Sequence, residues 1–411
     1  MKESAGFPRE VHLLVAGLAL LPGCTPGDSA PARVTVRDSM GVEIVESSAP
    51  LWEEAPAWTL SERPLVEIGA VEGERPYMLS SVWSARRSSD GRIAIANAGT
   101  DEIRVYDADG NHLRSIGREG EGPGDFQFVR EVWWTPGDSL LAFDLRLRRA
   151  ALFTSDGEVG RTVPVMPWSP EVSGPWIRGR FDDGTLIVSG EVRSGLPGPG
   201  LFDGGRRAFG RATAEGQFLN PIGEKALGRL WGFTTDRGTA YTSAPFELGV
   251  PAFAADGSRV FLGDGTGFAV EERNPDGTLT RIVRWTALRR PVTPEVVSRF
   301  REERLANART PEERRSEEQI LEGMPFPDVM PAYQTFQIDG LGHLWVERYR
   351  APWEEDVRYW VFDPAGSWLG EIAMPAGVEP REIGADYLLG VRRDENGVEF
   401  IVLYGLDRPE G

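Results

Sequence analysis

Turn signals of the Asp-Gly type punctuate this chain in pairs. Asp90-Gly91 is followed by Asp109-Gly110, Pro136-Gly137 by Asp156-Gly157, Asp183-Gly184 by Glu215-Gly216, Asp256-Gly257 by Asp276-Gly277, and Asp339-Gly340 by Ala365-Gly366. The first turns of the first three pairs fall at 90, 137 and 183, intervals of 47 and 46 residues, which is the period of a propeller blade. A degenerate sixth first turn lies near Ala385-Asp386, and Asn396-Gly397 follows it. Within one period, four short segments (82–88, 92–97, 102–107 and 112–117) are separated by turns, and the middle two alternate apolar and polar residues as half-buried strands do. Hairpins joining strands one to two and three to four describe propeller blades better than a sandwich. They also explain why no single unit has a complete core. The expected fold is therefore all-β, a six-bladed β-propeller over residues 64–411.

Two intervals are longer than a blade. Between 183 and 256 the excess includes the glycine-rich SGLPGPGLFDGG (194–205) and a loop around Trp231. Between 256 and 339 the excess is helical, and a helical hairpin over 293–323 is expected to lie on the propeller. Thr293-Pro294 and Thr310-Pro311-Glu312-Glu313 are helix starts with proline in the first turn, the second is a capping box, and Gly323 is a stop. Ring closure has a visible solution, because residues 66–82 parallel 114–129, an outermost strand followed by a crossing loop, while 398–406 supply an inner pair lacking its fourth strand. The N-terminal strand is expected to complete the last blade and so remove an open edge.

The chain starts differently. Residues 11–21 (VHLLVAGLALL) form an apolar run too short to span a bilayer and long enough for a signal-peptide core. Leu21-Pro22-Gly23-Cys24 at its end resembles the lipobox of bacterial lipoproteins, which implies a signal peptide over 1–23 and a lipid anchor on Cys24. A plain secretory signal with an incidental cysteine is the alternative. Residues 24–33 read as a flexible tether, and 34–63 as an N-terminal extension holding a hairpin about Ser39-Met40-Gly41. Thr25, where an inner-membrane lipoprotein often carries aspartate, favours the outer membrane.

With 40% hydrophobic and 10% aromatic residues among 411, a packed core is available. The net charge of −18 argues against nucleic acid, whose phosphates need a basic footprint. One cysteine excludes an intramolecular disulfide and a cysteine-based metal site. Lys2 and Lys225 are the only lysines, so nearly all positive charge is arginine.

IGREGEGPGDF, DGRIAIAN with IRVYDADGNHLRSIG, and DGLGHLWVERY with YWVFDPAGSWLGEI resemble NHL-type propeller repeats. Together with RVTVRDSMGVEIVE near the start and IGADYLLGVRRDENGVEFIVLYGL near the end, they make residues 33–408 similar to bacterial six-bladed β-propeller lipoproteins with NHL-like repeats. The resemblance implies a fold strongly and a function hardly at all, because such propellers include binding modules and metal-dependent enzymes.

Signals for chemistry are sparse. His12 belongs to the signal segment, His112 and His343 sit in strand-like positions, and neither HExxH nor GxSxG is present. Asp107-Ala108-Asp109-Gly110-Asn111 has alternating oxygens but the wrong glycine position for a calcium loop, so it reads as a hairpin. Gly117, Gly120, Gly122 and Gly124 read as a blade-crossing loop. One constellation stands out. On the face opposite the Asp-Gly turns, the loops carry Arg118, Glu119 and Glu121, then Arg146, Arg148 and Arg149, then Arg193, Arg206 and Arg207, then Arg348 and Arg350 beside Trp353. Arginine suits bidentate capture of carboxylates, with Trp353 or Trp231 as a stacking surface; a solvated rim balanced by local acids is the competing reading. The leading expectation is a membrane-tethered envelope module binding a protein, peptide or glycan, with no cofactor. Two readings stand beside it, a lactonase- or lyase-like periplasmic enzyme holding a divalent cation in the central channel, and a purely structural envelope protein.

Overall fold

A computed structural model describes residues 32–52, 58–193, 195, 198–235 and 238–409; Cys24, the signal segment and most of the tether lie outside them. The chain is an all-β propeller. Its sheets follow one another along the sequence, each antiparallel and each running outward from its first strand. The first contains Val82–Arg87, Ile93–Asn97, Glu102–Tyr106 and His112–Ile116; the second Val129–Thr135, Ser139–Asp144, Arg149–Phe153 and Val159–Pro164; the third Val172–Arg180, Leu186–Val192, Arg206–Ala212 and Phe218–Ala226. Ala252–Ala255, Val260–Gly263, Ala269–Arg273 and Leu279–Trp285 form the next, then Tyr333–Ile338, Leu344–Arg348, Arg358–Phe362 and Trp368–Ala373. The last in sequence holds Val378–Ile383, Tyr387–Arg393 and Glu399–Asp407, and its outer partner is Val66–Ile68 from the other end of the chain, with Val402 opposite Glu67.

Turn chemistry sets these strands. In the turn after Glu102–Tyr106, Gly110 adopts φ +88°, a left-handed conformation that glycine reaches without steric cost. The Asp107 carboxylate accepts from the backbone N–H of Asp109 at 3.0 Å and of Asn111 at 2.8 Å. Hydrogen bonds from Asn111 hold its pKa below the usual aspartate value. The oxygens that looked like calcium ligands are thus engaged by their own turn. At Asp339-Gly340 the left-handed residue is instead Gly342, φ +84°, because the turn begins at Asp339, whose carboxylate accepts from Leu341 and His343 as that of Asp107 does from Asp109 and Asn111, so its fourth residue is Gly342.

Alternate residues of facing strands fill the layers between sheets. Ala94, Ile103 and Val105 of the first sheet meet Val129, Val132 and Leu140 of the second. Ile93 and Ile95 meet Leu389, Val391 and Ile401 of the last. Each strand pair therefore depends on its neighbours for burial, as a blade must.

Additions decorate this body. Val34–Ser39 and Val42–Ser47 form a hairpin whose second strand runs parallel to Leu279–Trp285, widening that sheet. Gly200–Phe202, Leu230–Thr235 and Gly238–Ser243 make a separate three-stranded sheet. Helices α1 (Pro294–Ala306) and α2 (Pro311–Leu321) connect Leu279–Trp285 to Tyr333–Ile338. The Thr293 side chain accepts from Val296 N–H, while Thr310 and Glu313 form the reciprocal capping box. The helices bury Phe300 and Leu321 against Phe246, Met324, Met330 and Ala351. Among the described residues no helix is long and apolar enough to cross a membrane.

Candidate functional site

The arginines of the loop face are placed one by one by their partners. Arg118 is 80% exposed and pairs with Asp125 at 3.1 Å. Arg149 donates to the carbonyls of Glu121, Gly122 and Asp125, fastening the glycine-rich crossing loop. In that loop Glu119 bridges to Phe126 through its backbone, and Glu121 accepts from Gln127 at 2.9 Å. Arg193 and Arg207 share Glu191 at 2.6 and 2.5 Å, and Arg206 meets Glu224 at 2.5 Å. Arg348 holds both oxygens of Glu371, and Arg350 holds Glu347 at 3.1 Å. Arg146 and Arg148 are exposed, Arg148 in a left-handed turn position at φ +50°.

Nor are the two tryptophans free platforms. Trp231 donates its indole N–H to the Ile320 carbonyl at 3.1 Å, under α2. Trp353 meets the edge of Phe246 at 6.2 Å and is covered by Arg299 at 4.9 Å. Both belong to the apolar cluster that seats the helices. Arg348, Arg350, Tyr349 and Glu354 do converge on a cleft of about 360 Å³ with Arg290 and Arg358, but each of its four guanidiniums has an acid, Arg290 with Glu354, Arg348 and Arg358 with Glu371, and Arg350 with Glu347.

A different cavity, also about 360 Å³, is lined by the first strands of all the propeller sheets, the separate three-stranded sheet contributing none. Its residues stand at the ends of those strands, next to the Asp-Gly turns: Arg86, Trp133, Arg180, Ala255, Ile338 and Ile383, with Glu131, Arg178, Phe253, Phe336 and Arg381 deeper. It is the turn end of the central channel.

Four guanidiniums line this cavity, Arg86, Arg178, Arg180 and Arg381, against two carboxylates, Glu131 and Glu382. Glu382 is already occupied, accepting from Arg87 N–H at 2.7 Å and Tyr387 O–H at 3.1 Å, and burial raises its pKa. Arg381 reaches Glu379 at 3.1 Å, and Arg86 donates to backbone carbonyls. Arg178 and Arg180 make no ion pair among the described residues.

Aromatic rings hold Arg178 instead. A ladder crosses four first strands: Trp83, Arg130, Trp176, Arg178 and Phe253. Arg130 Cζ lies 3.6 Å from the Trp83 ring and 5.1 Å from Trp176; Arg178 Cζ lies 4.4 Å from Trp176 and 5.6 Å from Phe253. Phe253 itself stacks on Phe209 at 5.2 Å. Face-on stacking stabilises a cation while leaving the in-plane N–H donors uncommitted. Here Nε of Arg178 and of Arg130 is buried with no partner. Burial, and secondarily the Arg207 guanidinium, push the Arg178 pKa down to about 9. At neutral pH it remains a cation, half-buried in the channel wall, with Glu131 as the one acid acting on it and none within ion-pair distance among the described residues.

The sequence pattern draws the eye to the loop arginines, whereas the channel-lining ones lie on strands. The channel arginines left a signal of their own: charged residues at strand ends just before a first turn, as in ARR (85–87) before Asp90 and WIRGR (176–180) before Asp183.

No family model matches this chain, and no curated protein matches it. Among solved structures, a protein of Bacteroides fragilis named as exported superposes with a TM-score of 0.50 at 10% identity, covering 89% of this chain and 100% of that one. A member of the DUF4221 family from Bacteroides vulgatus gives 0.48 at 11% identity, covering 86% and 99%. Virginiamycin B lyase from Staphylococcus aureus gives 0.41 at 11% identity, covering 86% and 100%. At such identity the likeness concerns the fold alone.

Proposed function

We propose that the protein is a binding module of the bacterial cell envelope. It is exported, anchored through acylated Cys24 with the outer membrane favoured, and built as a six-bladed propeller of NHL-like repeats. The turn end of its channel takes an anionic group of a peptide, protein or glycan ligand. The observation that carries this reading is Arg178, a stacked guanidinium with no carboxylate within ion-pair distance among the described residues, in a cavity where four guanidiniums face only Glu131 and Glu382, inside a protein of net charge −18. Natural proteins seldom bury a cation without a counter-ion. An incoming carboxylate, sulfate or phosphate supplies the missing charge. The same excess of guanidiniums repels a divalent cation, so the metal-dependent enzyme reading has less support from the channel's own chemistry.

Calorimetric titration of the full chain with inorganic phosphate, acetate and a short uronic-acid oligosaccharide tests the proposal. Saturable binding of at least one anion, lost in Arg178→Gln, is expected. Absence of anion binding overturns it. For the anchor, metabolic acyl labelling is expected in the parent and absent in Cys24→Ala.

A further inference from the structure

Next to the channel cavity lies a second one of about 310 Å³, and its wall has the opposite character. It opens between the second and third sheets at the same Asp-Gly end, floored by Leu141, Leu152, Val163 and Leu186, with Ala214 at its rim. Arg180 lines both cavities. Nothing apolar from the neighbouring sheets closes this gap, although Leu141 and Leu186 belong to the core layer between them. An apolar groove open on one side leaves its lining without partner atoms there, so those side chains forfeit dispersion contacts that an apolar ligand can restore.

We infer that the two cavities form one site for a free anionic amphiphile with a single alkyl or acyl chain. The inference rests on the anion-binding reading above. Its head is held by Arg178 and Arg180, and its chain lies in the groove between the second and third sheets. Charge complementarity places the head, since Arg180 is the junction and the groove itself carries only Arg161 besides, already paired with Glu215 at 2.8 Å on its outer edge. Volume sets the chain count. A groove of about 310 Å³ sits at the lower end of small-ligand pockets, enough for one chain and too small for the paired chains of a bilayer lipid.

Titration of the full chain with inorganic phosphate and with octyl phosphate below its micelle concentration separates the two claims. The expected result is octyl phosphate binding about tenfold or more tighter than inorganic phosphate, because each buried methylene adds to affinity. Ala214→Trp, which fills the rim, is expected to reduce octyl phosphate to the affinity of inorganic phosphate while leaving the latter unchanged. Leu152→Asn, which makes the floor polar without adding bulk, serves the same end if the tryptophan disturbs folding. Failure of both probes overturns the anion-binding reading; binding of inorganic phosphate with no gain from the alkyl chain overturns only this inference. The source is tested with the Cys24→Ala chain, which cannot be acylated. Its capture by phosphatidylglycerol vesicles, without binding of soluble octyl phosphate, overturns the assignment to a free single-chain ligand.

Discussion

The two ends of the propeller both carry arginine, and they use it differently. At the loop end six of the nine arginines named above have an acid, Arg118 with Asp125, Arg193 and Arg207 with Glu191, Arg206 with Glu224, Arg348 with Glu371 and Arg350 with Glu347, while Arg149 holds backbone carbonyls and Arg146 and Arg148 stand exposed in solvent. At the turn end of the channel, Arg178 and Arg180 have none among the described residues, and Arg178 rests on aromatic faces. The first arrangement is a surface organised for its own stability; the second leaves positive charge for something else to satisfy. A count of arginines therefore does not distinguish the two ends; what sets the turn end apart is a guanidinium that is unmatched and stacked on rings, where Arg146 and Arg148 are unmatched among the described residues and solvated.

The sharpest test of that contrast removes a partner at the loop end. Glu191 is the sole acid for Arg207, whose side chain is 4% exposed. Glu191→Ala leaves a buried guanidinium with no counter-charge, and such a loss costs about 3–5 kcal/mol. A urea midpoint lowered by an amount of that order, with unchanged slope, is expected. A shift below about 1 kcal/mol would mean that the loop end tolerates unmatched arginine as well, and the contrast would dissolve.

Removing the unmatched cation should do the reverse. Arg178→Met keeps an unbranched chain between Trp176 and Phe253 while deleting the buried charge. Replacing poorly compensated buried charge by an apolar side chain is often stabilising by about 1–4 kcal/mol. Raised stability together with lost anion binding is the expected pair of outcomes, the pattern of a residue kept for function at the expense of stability. Lowered stability would show that the cation–π ladder outweighs the cost of burying the charge.

The fold was legible because its punctuation is local. Asp107 and Gly110 make a turn from five consecutive residues, and Thr310 with Glu313 caps a helix from four. Repeating the local pattern at a near-constant interval then implies a propeller without knowledge of any contact. The site was not legible for the opposite reason. Arg86, Glu131, Arg178, Phe253, Gln337 and Arg381 come from strands spread over nearly 300 positions and meet only when the sheets are arranged about one axis. Arg118, Arg193 and Arg350 have their acids within seven residues, but other loop arginines find theirs only through the strand pairing. Arg348 finds Glu371 23 residues away, two strands over in its sheet, and Arg207 finds Glu191 16 away, directly opposite on the paired strand. Trp231 and Trp353 misdirect in the same way, since only the packed helices show that their surfaces are taken.

Acidity offers a milder way to sharpen the comparison. A base whose folded pKa lies below its unfolded value loses its proton first in the folded state, so the cost of burying Arg178 is fully present below pH 9 and relieved as pH rises above it. Affinity for acetate, whose own charge is constant in this range, should follow the charge of Arg178, flat from pH 6 to 8 and falling as pH passes about 9. Arg290, whose pKa is raised chiefly by its hydrogen bond with Glu354, shows the opposite behaviour at the loop end and should contribute no titration in that window. Calorimetry across this range, in parent and Arg178→Met chains, checks whether the fall belongs to that residue.

The smallest effect is expected at the most exposed arginine. Arg118 meets Asp125 at 3.1 Å, yet with 80% of its side chain exposed the pair sits in high-dielectric solvent and must immobilise a long side chain to form. Asp125 also accepts from Gly122 N–H at 3.2 Å, so the crossing loop keeps a fastening without the guanidinium, and Arg149 supplies three more. Arg118→Ala should change unfolding free energy by less than about 1 kcal/mol and leave anion binding at the channel untouched. A clear loss of anion affinity in that variant would return the loop end to consideration as the binding face, because it would show a matched, solvated arginine governing recognition where the unmatched, stacked one is expected to.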